Sequence, residues 1–221
     1  MIVQLVVAAL AAVAPSRACA EVARTATEAV AVDAETDSTL VALYASGVDF
    51  AVFLASAQQR REQWLRHSAG AAVPADVLAT AQALPGHWRL LVTAIDGCSD
   101  SVNTIPYLAK LVALVPSLEM HIVLPGPGKP VMESHRTPDG RAATPTVVIL
   151  DEAGNDVGCW VERPALLQAK AIDMRANGLG DQFAREKQAW YDIDAGASSV
   201  REVVAVLKAA AAGTPLCTAG R

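Results

Sequence analysis

A mixed β-sheet flanked by helices, with further helices before and after it, is the α/β architecture this sequence predicts. Three observations carry the prediction. Apolar runs of strand length occur at Leu90–Ile95, Leu118–Leu124 and Thr146–Leu150. Between the first two lies a stretch with apolar residues at helical spacing. After the third comes the turn-forming Asp151-Glu152-Ala153-Gly154-Asn155-Asp156, then a return run, Val157–Val161. Strand, helix, strand, a loop-rich link, a hairpin and a helix bury their apolar faces most simply as one mixed sheet covered by helices.

The chain has 221 residues, enough for one domain with helical additions. Ile2 to Ala14 is apolar except for Gln4, and Ala18-Cys19-Ala20 is a small-residue triplet, so residues 1–20 resemble a secretory signal peptide. That reading implies a periplasmic or secreted protein with no stable membrane span after cleavage. The n-region carries no Lys or Arg, and the alternative is a cytoplasmic protein with an extended apolar start. Residues 21–74 read as a helical N-terminal extension. Its lead-in, 21–36, is rich in Ala, Thr and Glu without a period, and one or two helices follow between Leu40 and Leu65.

Residues 75–175 read as the central domain. Val73-Pro74-Ala75-Asp76 opens a short helix, with Pro near its first turn, and Leu84-Pro85-Gly86 closes it. The first strand ends at Ile95. Ile105, Leu108, Leu111, Val112 and Val115 then mark a helix, with Pro106 either in its first turn or at a kink. The second strand leads into Pro125–Pro130, a loop, and a short helix is expected over Val131–His135. Helices at about 165–175, 181–192 and 198–211 follow the hairpin, the last two within a C-terminal extension, 176–221, whose end from Thr214 looks frayed. Trp190-Tyr191 reads as the anchor that docks the late helix.

Charge and composition exclude several functions. The chain carries 18 basic and 23 acidic side chains and 5% aromatics, which offers neither a basic stripe nor a stacking platform for nucleic acid. Its histidines and cysteines lack metal-ligand spacing, so neither a metal nor another cofactor is expected. Removal of residues 1–20 leaves Cys98, Cys159 and Cys217, an odd number, so at least one thiol is free or pairs with another molecule.

Cys98 is the candidate reactive group. It sits in Asp96-Gly97-Cys98-Ser99-Asp100-Ser101, straight after the first strand and leading into a helix. Unpaired N–H groups and aligned peptide dipoles at a helix start favour a thiolate, and the Ser101 hydroxyl is placed to donate to the sulfur. Asp96 and Asp100 would oppose the thiolate if they pointed at it, unless Asp100 caps the helix. The competing reading is a small buried cysteine, though the stretch is polar for a core segment.

These residues resemble the thioredoxin superfamily, in particular thioredoxin-like proteins whose active-site stretch reads Asp-Trp-Cys-Gly-Asp-Cys and whose hairpin closes with Trp-x-x-Arg-Pro. The corresponding stretches are Asp96–Ser101 and Trp160-Val161-Glu162-Arg163-Pro164, with Thr144-Pro145 at the cis-proline position; the likeness covers about 75–175. The resemblance implies that Cys98 attacks a disulfide and that Thr144 and Pro145 flank the groove for a protein or low-molecular-weight thiol or disulfide; Gly97, and Arg163 at the strand end near Pro145, are the further groove candidates. On the residues alone, Pro145 is equally an ordinary trans residue opening a strand. The sequence departs from the family twice. Ser101 removes the resolving thiol, and Gly97 replaces the tryptophan that shields the cysteine.

The function expected is therefore monothiol thiol–disulfide exchange with a protein or glutathione-like disulfide. The alternative is a non-catalytic binding or scaffold module that keeps the groove without turnover. Candidate auxiliary groups are His135 as a proton shuttle, Arg136 and Arg141 as attractors of a carboxylate, and Cys159 as either a core residue or a resolving partner.

Overall fold

A computed structural model of the protein describes residues 39–218. The leader-like segment 1–20 and the lead-in 21–36 lie outside the described residues. The protein is an α/β fold built on one five-stranded mixed sheet in the order β2-β1-β3-β4-β5. Its strands are β1 (Trp88–Thr93), β2 (Leu118–Val123), β3 (Thr146–Leu150), β4 (Asp156–Val161) and β5 (Leu216–Cys217). β1 and β2 are parallel, from Trp88 opposite Leu118 to Thr93 opposite Val123. β3 runs antiparallel to both β1 and β4, placing Thr146 opposite Val161 and Leu150 opposite Asp156.

Helices come in three groups. A helix over 39–46 (α1), α2 (Phe50–Ser56), α3 (Arg61–Gly70) and α4 (Ala75–Gln82) precede the sheet. Asp49 caps α2 by accepting the Val52 N–H at 2.8 Å. The motif forms a single turn, α5 (Ser99–Val102), separated by Asn103 and Thr104 from α6 (Ile105–Leu114); Pro106 stands in the first turn of α6, where its missing N–H costs no hydrogen bond. The short helix after β2 is α7 (Lys129–Ser134), two residues earlier than its apolar pattern suggests. α8 (Ala165–Ala176), α9 (Gly180–Asp194) and α10 (Ala197–Ala211) follow the hairpin. Among the described residues no helix is long and apolar enough to cross a membrane.

The period of two along each strand divides the core. Leu90, Val92, Val147, Ile149 and Trp160 face one layer together with Phe53, Trp64, Leu108, Val203 and Leu207. Leu91, Val148, Leu150, Cys159 and Val161 face the other, against Leu40, Tyr44 and Val131. Residues on both sides of the 75–175 segment thus share its core. Leu167, Ala171, Met174, Phe183 and Tyr191 form a small third cluster between α8 and α9.

The C-terminal end is not frayed through Thr218. Cys217 is disulfide-bonded to Cys159, and β5 pairs in parallel with β4, with the Thr218 N–H donating to the Cys159 carbonyl at 3.0 Å. A two-residue strand has too little pairing to hold itself, and the covalent bond supplies what the pairing lacks. The bond closes a sequence separation of 58. Chain entropy for a loop of that length predicts that Cys217→Ser lowers stability by up to about 4 kcal/mol. Urea unfolding of the oxidised protein against the variant measures it; equal midpoints would show that the bond does not constrain the unfolded chain.

Candidate functional site

Cys98 stands where β1 gives way to α5, in the N-cap position of that helical turn. The strand places it at the end of the sheet, and the turn directs the Ser101 N–H to its sulfur at 3.5 Å. The Sγ–H donates to the Thr144 carbonyl at 3.2 Å. The Thr144–Pro145 peptide is cis. Cys98 is partly exposed and is the one free cysteine among the described residues. The structure therefore brings Cys98, Thr144 and Pro145 together. Ser101 contributes differently from the sequence expectation. Its N–H reaches the sulfur, whereas its fully buried hydroxyl makes no hydrogen bond among the described residues.

Neither motif aspartate presents a bare charge to the thiol. Asp96 Oδ2 accepts the N–H groups of Gln58 and Gln59, both at 2.8 Å, and its carbonyl accepts the Trp64 indole N–H at 2.9 Å. Burial pushes its carboxyl upward, but the N–H bonds from Gln59, Gln58 and Gly97 prevail and hold it below the ordinary aspartate range. The turn between α2 and α3 therefore grips the motif from its N-terminal side. Arg60 adds a hydrogen bond from Nε to the Gly97 carbonyl at 2.8 Å. Gly97 is not an open gap left by a missing tryptophan, because the Gln59 amide occupies that space; a Cβ built on Gly97 would stand 2.5 Å from Gln59 Oε1.

Asp100 does not cap the helix. It is buried and receives three donors: Arg163 Nη2 at 3.1 Å, Lys187 Nζ at 2.9 Å and the Tyr191 hydroxyl at 2.8 Å. Burial, and then the adjoining Asp100 charge, push the Tyr191 phenol well above its ordinary value, so it remains a donor. Lys187 also donates to Ser99 Oγ at 2.7 Å, and Gln188 exchanges hydrogen bonds with Asn103 at 3.2 and 3.3 Å. α9 therefore holds the motif together with α3, whose Gln63 donates to Gln188 Oε1 at 3.2 Å.

Several expected site residues lie elsewhere. Arg163 is no groove rim. It is buried, ion-paired with Asp100 and Glu162, and its guanidinium lies 5.3 Å from the Phe183 ring centroid. His135 cannot shuttle a proton for Cys98, since it is buried with Nε2 at 2.8 Å from Asp156 Oδ2, and Asp156 pairs with the end of β3 remote from Pro145. Arg136 is spent on the loop carbonyls of Glu133 and Gly140, and Arg141 on Glu162 and Asp139. Cys159 is no resolving thiol, because it is buried and bonded to Cys217. Trp160 is packing, fully buried with its indole N–H donating to Glu202 of α10 at 2.8 Å.

Lys187, Tyr191, Glu162, Gln59 and Arg60 were not legible as site residues. Glu162 has a left-handed backbone, φ 68°, and its N–H donates to the Pro145 carbonyl at 2.7 Å. Its carboxylate joins Arg163 to Arg141, which bonds Asp139 at 2.9 Å, and Asp139 also pairs with Arg175. A relay of alternating charges thus runs from the motif to α8. A Glu-Arg pair closing an apolar hairpin was the only local sign of it.

Burial pushes the Asp139 carboxyl upward, but hydrogen bonds from Arg141 and Thr137, with the charges of Arg141 and Arg175, bring it from 3.8 to about 2. Its folded value lies below the unfolded one. The stabilisation is complete above the unfolded value and is lost as pH falls through about 2. Urea midpoints measured between about pH 5 and pH 2 should fall less steeply for Asp139→Asn than for the wild type; parallel curves would refute the assignment.

A family model described as thioredoxin matches residues 47–175, more than half of the chain and including α2, α3 and α4. Among solved structures, a Pseudomonas aeruginosa protein of unknown function is similar at 22% identity with a TM-score of 0.58, over 76% of this chain and 96% of that one. An HIV epitope scaffold is similar at 21% identity with a TM-score of 0.56, over the same shares. At these identities the likeness is one of fold. No curated protein matches the sequence. The strand order, the motif at the end of β1 and the matched span lead to one assignment: the chain belongs to the thioredoxin family.

Proposed function

We propose that the protein carries out thiol–disulfide exchange as a monothiol, with Cys98 as the attacking group. The observation that carries this reading is the setting of its sulfur: partly exposed, met by the Ser101 N–H and adjoining the Thr144 carbonyl ahead of Pro145. A thiolate there gains a charge-assisted hydrogen bond from the N–H. It attacks one sulfur of a disulfide R–S–S–R′. The Cys98–S bond forms as the S–S bond breaks, and R′–S⁻ leaves with the electron pair and takes a proton from water. The adduct returns to free Cys98 when an outside thiolate attacks the R sulfur and Cys98 departs.

Two features support an intermolecular second step. The group one turn on, Ser101, is a hydroxyl, and Cys159 is engaged by Cys217. The Cys159–Cys217 pairing also supports an oxidising compartment, periplasmic or extracellular, since such bonds persist there. Partners on this reading are protein or small-molecule disulfides that present a sulfur to the cis-proline edge.

Incubation with glutathione disulfide should give a single mixed disulfide, located by mass spectrometry on Cys98, that persists until reduced thiol is added. Cys98→Ser should form none. If the native protein forms no adduct while its unfolded form does, the exchange reading fails and the family's groove serves as a binding or scaffold module instead.

A further inference from the structure

The α8–α9 excursion ends in a cluster that the exchange chemistry above leaves unused. α9 lies beyond the matched span, 47–175, yet it contributes two of the three groups bonded to Asp100. We propose that Lys187 is a positioning residue of the thiol site: it neutralises Asp100 and, through Ser99, fixes the helical turn that carries Cys98. The inference rests on the reading of Cys98 as the reactive thiol.

The argument is one of charge and geometry. Asp100 lies two residues from Cys98, and its side chain is 7% exposed. A carboxylate so placed would disfavour a neighbouring thiolate unless its charge were matched. Arg163 cannot match it alone, because the same Nη2 is shared with Glu162. Tyr191 supplies a hydrogen bond but no charge. Lys187 supplies the missing cation. It is only 16% exposed, and both of its hydrogen bonds end on motif residues, Ser99 Oγ at 2.7 Å and Asp100 Oδ2 at 2.9 Å. Counted together, the carboxylates Asp100, Glu162 and Asp139 face the cations Arg163, Lys187, Arg141 and Arg175. Along this relay the cations exceed the carboxylates by one. Without Lys187 that excess vanishes, and Asp100 is left with half of an arginine.

The test is the alkylation of native, full-length protein by neutral iodoacetamide and by anionic iodoacetate, followed at Cys98. Lys187→Met should slow both reactions, by roughly three- to tenfold for iodoacetamide and more for iodoacetate, because the removed cation also attracted the anionic reagent. The double variant Lys187→Met/Asp100→Asn, in which the orphaned carboxylate is neutral, should restore most of the iodoacetamide rate. It also keeps the test valid if Lys187→Met alone unfolds, which circular dichroism would reveal. Wild-type rates in Lys187→Met overturn the proposal, as does an equal loss with both reagents that Asp100→Asn does not repair. Failure of the exchange reading itself shows separately, as a wild-type protein that alkylates at Cys98 but takes up no glutathione.

Discussion

A carboxylate buried in the wall of a thiol site is the constraint on which the rest of this molecule turns. Removing Asp100 from water is costly unless its charge is matched and its oxygens are hydrogen-bonded. The fold meets that requirement from two directions. The turn after β4 brings Arg163 inward, and α9 docks with Lys187 and Tyr191 aimed at the same group. Arg163 then needs its own partner, which is Glu162, and Glu162 in turn takes Arg141. Each member answers a debt created by the one before it. The outermost pair, Asp139 and Arg175, reaches the exposed end of α8, where water can complete the solvation.

The relay also joins the two walls around Cys98. One wall is the helical turn carrying Ser101 and Asp100. The other is the Thr144–Pro145 segment, held from behind by the Glu162 N–H. Glu162 therefore touches both, the first through Arg163 and the second through its backbone. A residue held in the left-handed region at some conformational cost fits a position that must satisfy a carbonyl on one side and a guanidinium on the other. Tertiary contacts outside the motif thus fix the distance between the sulfur and the Thr144 carbonyl.

The sequence made the sheet legible because strand periodicity and hairpin chemistry are local. Leu90–Thr93, Leu118–Val123 and the Asp151–Asp156 turn each announce themselves within a few residues. The placement of Cys98 at a strand end followed from the same local signals. What surrounds it did not. Asp100 and Lys187 are 87 residues apart, and Lys187 lies within a charged helix where either Arg185 or Lys187 could face inward. Arg163 looked like a rim residue because it stands at a strand end near Pro145; its burial depends on acidic partners that periodicity cannot locate. Cys159 and Cys217 illustrate the same limit, since a return strand and a tail with turn-like composition give no sign of their pairing.

Gly97 and Gln59 divide one volume between two distant parts of the chain. Where a bulky side chain at position 97 would cover the motif in cis, the cover arrives from the turn between α2 and α3, and a Cβ at 97 would meet its amide. Positions 59 and 97 are therefore a single choice rather than two. A larger residue at 97 is accommodated only if the amide at 59 swings away or is shortened, whereas shortening 59 alone uncovers the loop. The identity of the residue beside Cys98 is thus written partly in the turn between α2 and α3, 38 residues earlier.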